Sequence, residues 1–393
     1  MSRWVRLASG LTLGAAVAAA WGFWWGARPA RHLAEAGRLV GAGEPLEAVD
    51  WLDLPERTPA TRDRALVLRA RAALGVGRPR DAVGPLNRVD PRGPWAAEAD
   101  FWKGRTLFQA GNPKGAVAWF RRALQRRPDH VESLRWLAAA AYDLGDWRAA
   151  VAALETLTRI KPGDAAAWRT LGLLFQEDGK PDRAGRAYEA SLRHDPGQPA
   201  VRLELAEVLL KQAKTGDAER QLAACRGRVP EGRRLELLAR CRKLGGDVDE
   251  TRALLEAGLV RFPRHPGLLS QRAALALGEG RADQAAPLLD RALAEEPDNP
   301  DCLYLRGLAL RRLGKAAEGD RDLARAAEIK RGVAEMATLN IRATDRPDDP
   351  QVRHRLARVC ARLGKPELAA YWTRAALACE AAPPGDPETP APR

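Results

Sequence analysis

The sequence predicts an all-α protein built as a linear array of helical hairpins, with an apolar segment at its N-terminus. Three observations lead to this fold class. Ala and Leu dominate the apolar residues while β-branched residues are sparse, a composition that favours helix over sheet. Pro, Gly and Ala recur at a spacing of 34 residues along most of the chain. Residues 7–26 form a stretch of twenty residues without a charge.

The composition is that of a folded, basic protein. Of 393 residues, 46% are hydrophobic, which excludes wholesale disorder. The 64 basic and 51 acidic residues give a net charge of +13, and almost all of the excess is Arg. A basic surface can meet phosphate or anionic lipid. The alternative is a general shift in composition toward Arg, Ala, Gly and Pro, because no basic block of five residues occurs.

The N-terminal stretch has the length and the flanking residues of a membrane-spanning helix. At about 1.5 Å per residue, residues 7–26 span the roughly 30 Å hydrocarbon core of a bilayer. Indole rings prefer the headgroup layer, and Trp4 lies at one end while four aromatic residues of 21–25 lie at the other. These features predict a signal-anchor in residues 1–28 and a single-pass membrane protein.

A cleaved secretory signal is the alternative interpretation of the same stretch. Arg3 and Arg6 supply a charged start and Ala18-Ala19-Ala20 a small-residue cleavage site, so that cleavage releases a soluble protein beginning at Trp21. Basic residues lie on both sides of the stretch, and their distribution does not fix its orientation. A short N-terminal tail usually stays in the cytoplasm, which predicts that the repeats are extracytoplasmic, on the periplasmic side.

A repeat of 34 residues runs through the rest of the chain. Its most visible marks are Pro94, Pro128, Pro162, Pro196, Pro230, Pro263 and Pro297. Each repeat is numbered here so that this Pro is position 32. Position 8 is then small in all ten repeats, and position 15 is Gly in nine of them, with Ala213 as the exception. The spacing is therefore a structural period.

Each of these positions has a physical reason within a helical hairpin. Gly at position 15 permits the left-handed turn that ends the first helix. Pro at position 32 stops the second helix, because its ring has no N–H and clashes with the preceding turn. Small residues at positions 8 and 20 let the two helices approach closely where they cross.

The fifth repeat carries the pattern most completely. It reads Trp168-x-x-Leu171-Gly172-x-x-Phe175, then Ala184-x-x-x-Tyr188-x-x-Ser191, then Pro196. This pattern resembles the tetratricopeptide repeat family over about residues 29–382. The predicted repeats are 29–62, 63–96, 97–130, 131–164, 165–198, 199–231, 232–265, 266–299, 300–333 and 350–382.

Departures from the repeat pattern are local. Polar residues such as Asp100, Arg202 and Arg353 stand at position 4. An insert near residues 334–349 precedes the last repeat, and Gly332–Arg342 is predicted to prolong a helix there. Residues 383–393 contain five Pro and are predicted to be a disordered tail.

The resemblance implies a right-handed α-solenoid whose concave groove binds a partner peptide or a partner's helix. In this family the groove is lined mainly by the first helix of each repeat, at positions 2, 5, 9 and 12. The candidate partner-binding residues are Phe101, Arg105, Phe108, Arg135, Tyr142, Arg169, Gln176, Arg240, Lys243, Tyr304 and Arg311. Aromatic residues beside Arg tend to become interface anchors, and Phe101, Phe108 and Tyr142 are the predicted centre. The alternative is that Phe108 and Tyr142 are packed between helices.

No pattern for catalysis, cofactor binding or metal binding accompanies the repeats. The five His are scattered, and His130, His194 and His265, beside the Pro turns, are expected to be solvated. The five Cys form no CxxC pair and lie near no His at metal-ligand spacing. The repeats occupy nearly the whole chain after residue 28. The sequence therefore predicts neither an enzyme nor a cofactor.

These features together predict a non-catalytic scaffold or adaptor that is tethered to a membrane. Its partner would be a protein or peptide, bound in the concave groove within a multi-protein assembly of a bacterial envelope. A secreted soluble adaptor, released by signal cleavage, is the first alternative. A basic helical-repeat RNA-binding protein is the second, although the groove positions vary without the fixed code that such repeats use to contact bases.

Overall fold

The computed structural model describes residues 27–346 and 349–380, and all regular secondary structure in these ranges is α-helical. The predicted membrane stretch, residues 7–26, and the predicted Pro-rich tail, residues 383–393, lie outside the described residues. None of the described helices combines the length and the apolar character needed to cross a membrane. The all-helical part of the predicted fold class is confirmed.

The described chain divides into two compact units, unit 1 with residues 27–140 and unit 2 with residues 141–380. The helices that begin in unit 1 are α1 (Arg28–Ala42), α2 (Pro45–Asp50), α3 (Asp53–Arg57), α4 (Arg62–Gly75), α5 (Pro79–Asn87), α6 (Ala96–Gln109), α7 (Pro113–Arg126) and α8 (Val131–Asp143). Helices pack mainly against their neighbours in sequence, α4 with α5 and α6 with α7.

Unit 2 begins with the last residues of α8 and continues as a series of paired helices. They are α9 (Trp147–Ile160), α10 (Ala165–Glu177), α11 (Pro181–His194), α12 (Pro199–Lys211), α13 (Thr215–Ala224), α14 (Glu231–Leu244), α15 (Val248–Arg261), α16 (Pro266–Gly278), α17 (Ala282–Glu295), α18 (Pro300–Arg312), α19 (Ala316–Asp345), α20 (Pro350–Arg362) and α21 (Pro366–Glu380). The predicted prolonged helix across Gly332–Arg342 is confirmed as part of α19, which has 30 residues.

The turn inside each hairpin is made by a residue in the left-handed conformation at position 15. The glycines with positive φ include Gly43, Gly77, Gly111, Gly145, Gly179, Gly246, Gly280, Gly314 and Gly364. Ala213, the exception in sequence, has a φ of 58° and therefore adopts the same conformation with a side chain present. The turn geometry is thus imposed by the repeat even where Gly is missing.

Close approach of the two helices in a hairpin explains the small residues at position 8. A Cβ atom on Gly172 would lie 2.5 Å from Cε1 of Tyr188, whose ring packs over the glycine. A Cβ atom on Gly104 would lie 2.6 Å from Cε1 of Phe120. In both hairpins an aromatic ring from the second helix occupies the space that a side chain would need. Packing of the two helices therefore restricts position 8 to small residues.

The last hairpin of unit 2, α20 and α21, packs against the turn that follows α8. Arg353, at 0% exposure, lies in this contact. Its Nε donates to the Leu144 carbonyl oxygen at 2.8 Å, and Nη2 donates to the same oxygen. Its Nη1 donates to the carbonyl oxygen of Asp349 at 3.2 Å. The polar residue at position 4 of the last repeat is therefore a buried structural group that joins the two ends of unit 2.

Aromatic residues of α21 complete this contact. The ring of Trp372, 2% exposed, lies against Gly145, where an added Cβ would be 2.4 Å from it. The hydroxyl of Tyr371 donates to the carbonyl oxygen of Tyr142. We refer to the contacts of Arg353, Tyr371 and Trp372 with residues 142–145 as the closure contacts. They make unit 2 a closed ring of hairpins.

Replacing Ala213 with Gly should stabilise the chain. An L side chain in the left-handed region is strained, and Gly removes that strain while adding some entropy to the unfolded chain, so we expect a net gain of about 0.5–1 kcal/mol. Urea denaturation monitored by circular dichroism gives the free energy of unfolding. Ala334→Gly, within α19, is the matched control and should lose about 1 kcal/mol. A loss of stability in Ala213→Gly would contradict the assigned turn.

Replacing Arg353 with Met should open the ring of unit 2. The substitution leaves the buried carbonyl oxygens of Leu144 and Asp349 without their donor, which should cost about 2–3 kcal/mol of unfolding free energy. Arg358→Met, at an exposed position of the same helix, is the matched control and should change little. Equal stabilities of the two variants in urea denaturation would show that the closure contacts do not form.

Candidate functional site

Beside the closure contacts, unit 2 has an open pocket of about 1440 Å³. One wall is formed by α9, a second by the turn between α10 and α11, and the others by α19 and α21. Its apolar lining residues are Tyr142, Trp147, Val151, Ala152, Leu174, Phe175, Val333, Met336, Ala337, Ile341, Leu368, Tyr371 and Trp372. The pocket therefore joins residues 142–183 with residues 333–372, and it depends on the closure contacts.

Aromatic rings dominate the pocket wall beside the closure contacts. The ring centroids of Tyr142 and Trp147 are 5.2 Å apart in an edge-to-face arrangement, and those of Tyr142 and Tyr371 are 6.0 Å apart. Burial raises the pKa of both tyrosine hydroxyls, so both remain protonated at neutral pH. The indole N–H of Trp147 has no hydrogen-bond partner among the described residues.

Most charges around the pocket neutralise one another. Arg148 pairs with Asp345 at 3.2 Å, and Lys180 pairs with Asp178 at 2.6 Å. A third pair joins Arg183 to Glu155 on the neighbouring helices. With these charges paired, the surface that remains for a ligand is mainly apolar and aromatic.

Glu177 differs from these residues because no ion-pair partner is found for it within residues 27–346 and 349–380. Desolvation by its surroundings raises the pKa of its carboxyl group. Glu367 also lines the pocket, so the lining contains two carboxyl groups besides the paired ones.

A second cluster, in unit 1, alternates arginine and tryptophan. The guanidinium carbon of Arg71 lies 5.2 Å from the ring centroid of Trp102. That of Arg105 lies 5.6 Å from Trp102 and 3.5 Å from the ring centroid of Trp136. Both arginines stand at position 9 and both tryptophans at position 6 of successive repeats. We call Arg71, Trp102, Arg105 and Trp136 the Arg–Trp ladder.

Neighbouring residues fix the orientation of the ladder. The indole N–H of Trp102 donates to Oε1 of Glu98 at 3.0 Å. Desolvation alone would raise the pKa of Glu98, but hydrogen bonds from His130 and Trp102, followed by the charge of Arg127, bring it to about 2. Its carboxylate thus stays ionised and holds the ring. At the other end, Phe108 packs edge-on against Trp136, with centroids 5.4 Å apart.

Phe101, a predicted groove residue, has its side chain buried in the core of unit 1. Its side chain is only 3% exposed and packs between Phe120 and His130, at centroid distances of 5.9 and 5.1 Å. His130, expected to be solvated, is buried there as well, with Nδ1 2.6 Å from the Ser133 hydroxyl. The repeat places position 5 of this hairpin in the core, because the helix turns that face toward α7.

The remaining predicted residues are spread over several environments. Arg105 and Phe108 belong to the Arg–Trp ladder or contact it, and Tyr142 lines the pocket. Arg169 is paired with Glu204 at 2.9 Å, and Gln176 accepts a hydrogen bond from the Tyr188 hydroxyl at 3.1 Å. Of the eleven predicted residues, all within the described ranges, only Tyr142 lines the pocket.

The other five predicted residues lie outside both clusters. Arg135 is near Glu132 at 4.0 Å, and Arg311 is near Asp320 at 3.7 Å. Tyr304 is exposed, with the Lys330 ammonium 5.3 Å from its ring centroid. Arg240 is half-buried and Lys243 is exposed. These positions stay predictions as partner contacts.

Sequence reasoning missed most of the pocket. Trp147 comes from a second helix, Ile341 from the long insert helix, and Phe175 from position 11 of a first helix, whereas the prediction used only positions 2, 5, 9 and 12 of the first helices. Two features of the sequence indicate a departure from the regular array near the pocket. The ninth repeat lacks its closing Pro, and Arg353 stands at a repeat position that is usually apolar. The ladder was visible as Trp at position 6 followed by Arg at position 9.

The described side chains show little that points to catalysis. No group of three or more His, Cys, Asp or Glu in the described part of the chain is arranged to hold a metal ion. Burial raises the pKa of the Cys241 and Cys302 thiols to about 11, which keeps them in the unreactive protonated form. The two clusters instead present surfaces suited to contact with another macromolecule.

Similar solved structures are helical-repeat proteins. A tetratricopeptide repeat protein from Parabacteroides merdae has 18% identity and a TM-score of 0.40, over 63% of this chain and 98% of that chain. The protein pilF of Pseudomonas aeruginosa has 23% identity and a TM-score of 0.41, over 54% and 97%. PilW, a type IV pilus biogenesis factor, has 17% identity and a TM-score of 0.42, over 50% and 91%.

Comparison with curated protein sequences finds no match. Models of the tetratricopeptide repeat match residues 107–174 and 175–241 in one case, and residues 67–131 and 271–332 in another. These matches cover more than half of the chain, in the same segments that form the paired helices and left-handed turns described above. The chain therefore belongs to the tetratricopeptide repeat family.

Proposed function

We propose that this protein is a non-catalytic scaffold that binds a peptide or helix of a partner protein in the pocket of unit 2. Members of its family mediate contacts between proteins, which supports the general class. The observation that carries the specific site is the aromatic-walled pocket of about 1440 Å³ beside the closure contacts.

The size and the lining of the pocket favour a peptide over a small molecule. Its volume exceeds the roughly 300–1,000 Å³ that is typical of small-molecule sites. Two apolar side chains that line it, Ile341 and Val333, are 62% and 40% exposed. Apolar side chains left in contact with water gain free energy when a partner covers them.

The aromatic residues are expected to supply most of the binding energy. Tyr and Trp are frequent anchors of interfaces, and Tyr142, Trp147 and Tyr371 are held in place by mutual ring contacts and by the closure contacts. A partner would not need to break the paired charges at the rim. The preferred segment is therefore an amphipathic one, whose apolar side chains enter the pocket.

Charges placed in the pocket should abolish this binding. Peptides selected from a random library against the purified full chain would be measured by fluorescence anisotropy. The double variant Val333→Glu/Ile341→Glu should bind them at least about tenfold more weakly, because carboxylates would be desolvated against apolar side chains. Thr338→Glu, exposed on α19 but outside the pocket, is the control and should bind normally. Equal affinities of wild type and the double variant would exclude the pocket.

We further propose that residues 7–26 tether the protein to a membrane, with the repeats on the extracytoplasmic side within an envelope assembly. The support is the uncharged length of the segment and its flanking aromatic residues. The secreted soluble adaptor remains the alternative.

Membrane extraction separates these two forms. A retained anchor should keep the full-length chain in the pellet after alkaline carbonate washing, because about twenty apolar residues bury irreversibly in the bilayer. A variant lacking residues 7–26 is the control and should be washed off. A mature protein that begins at Trp21 and is found in the soluble fraction would establish the secreted form.

A further inference from the structure

The Arg–Trp ladder of unit 1 leaves two cations without a carboxylate partner. Arg71 and Arg105 contact indole rings, and neither forms an ion pair with any of the described residues. Nε of Arg71 is buried and has no hydrogen-bond partner among those residues either. By contrast, nearby Arg126 and Arg127 are paired with Asp100 and Glu98. The ladder is therefore a positive patch that its own surroundings leave unsatisfied.

The geometry of the ladder prepares the guanidinium groups for an anion. An arginine over an indole face is held in one plane, and its N–H donors are directed outward from the ring contact. Trp102 is itself fixed by Glu98, and Trp136 by Phe108. Less rotamer entropy is then lost when an anion binds to these donors.

Desolvation increases what an anion would gain at Arg105. Burial lowers the pKa of its guanidinium group, and the opposing charge is that of Glu132, which does not form an ion pair with it. A charge that has lost water without gaining a partner forms strong charge-assisted hydrogen bonds when a carboxylate arrives.

We propose that the Arg–Trp ladder binds an acidic, extended peptide segment of a partner protein. Arg71 and Arg105 both contact Trp102, so their guanidinium carbons lie no more than about 11 Å apart. An extended chain advances about 3.3 Å per residue, so carboxylates no more than about three residues apart can face the two arginines. This site lies in unit 1 and does not depend on the pocket of unit 2.

The same geometry disfavours single-stranded nucleic acid. Proteins that bind single strands stack bases on open aromatic faces. In the ladder, the Trp102 ring contacts two guanidinium groups and the Trp136 ring contacts Arg105 and Phe108. The donors available to a ligand are therefore N–H edges, which suit carboxylates.

Binding of a defined acidic peptide tests this assignment. The probe is a fluorescein-labelled peptide of about twelve residues with a Glu-Ser-Gly repeat, measured by anisotropy with the full chain at low salt. The same peptide with Gln for Glu should bind about tenfold more weakly. Arg71→Gln/Arg105→Gln should also lose about tenfold in affinity for the Glu peptide.

Two controls distinguish binding at the Arg–Trp ladder from attraction of the acidic peptide to the basic surface in general. Arg80→Gln/Arg121→Gln removes the same charge from exposed positions of unit 1 and should change affinity less than about twofold. Thermal melts show whether each variant is folded, and unchanged binding of the selected pocket peptides shows that unit 2 is intact. Equal losses in the two double variants, or tighter ladder-dependent binding of a uridine oligonucleotide than of the Glu peptide, would overturn the proposal.

Discussion

A helical hairpin cannot bury its own apolar surface, and each hairpin in this chain therefore depends on a neighbour. Inside a hairpin the constraint is close approach, as where the ring of Tyr188 fills the space over Gly172. Between hairpins the constraint is that the next pair of helices must cover the apolar surface that each hairpin leaves exposed. The hairpin of α20 and α21 is followed by no further hairpin in the described residues, so its Trp372 requires a surface elsewhere. Within unit 2 that surface is the turn at Gly145.

The pocket is a consequence of the packing of the last hairpin against the turn at Gly145. Once Arg353 binds the carbonyl oxygen of Leu144, α19 and α21 stand opposite α9, and the apolar side chains between them cannot all be covered. The long α19 adds to the uncovered surface because the insert extends it past the length of the other helices. Structural closure and the proposed binding surface thus arise from the same contacts. Unit 1 has a different surface, the Arg–Trp ladder, in which the indole rings of Trp102 and Trp136 pack against arginines.

Much of the fold was predictable because the repeat period reports local constraints. Gly at position 15 predicts the turn inside a hairpin, and small residues at position 8 predict the close crossing of its two helices. The structure shows both. The sites were less predictable because they depend on contacts between distant repeats. The repeat position of Phe101 predicts a groove residue, yet the hairpin buries its side chain. Arg353 is a departure from the repeat pattern in sequence, and in the structure it is a buried junction. A polar residue at an apolar repeat position is thus a useful signal for a long-range contact.

The pocket exists only if unit 2 closes into a ring, and a distance across the closure contacts tests that ring most directly. Double electron–electron resonance measures this distance between spin labels at two exposed positions, Arg159 of α9 and Arg374 of α21. Cys379 is replaced by Ser so that it is not labelled, and the other four cysteines are buried. A closed ring predicts one narrow distance distribution, at the separation these positions have in the structure. A broad distribution extending to longer distances would show that the hairpins do not close and would contradict the account.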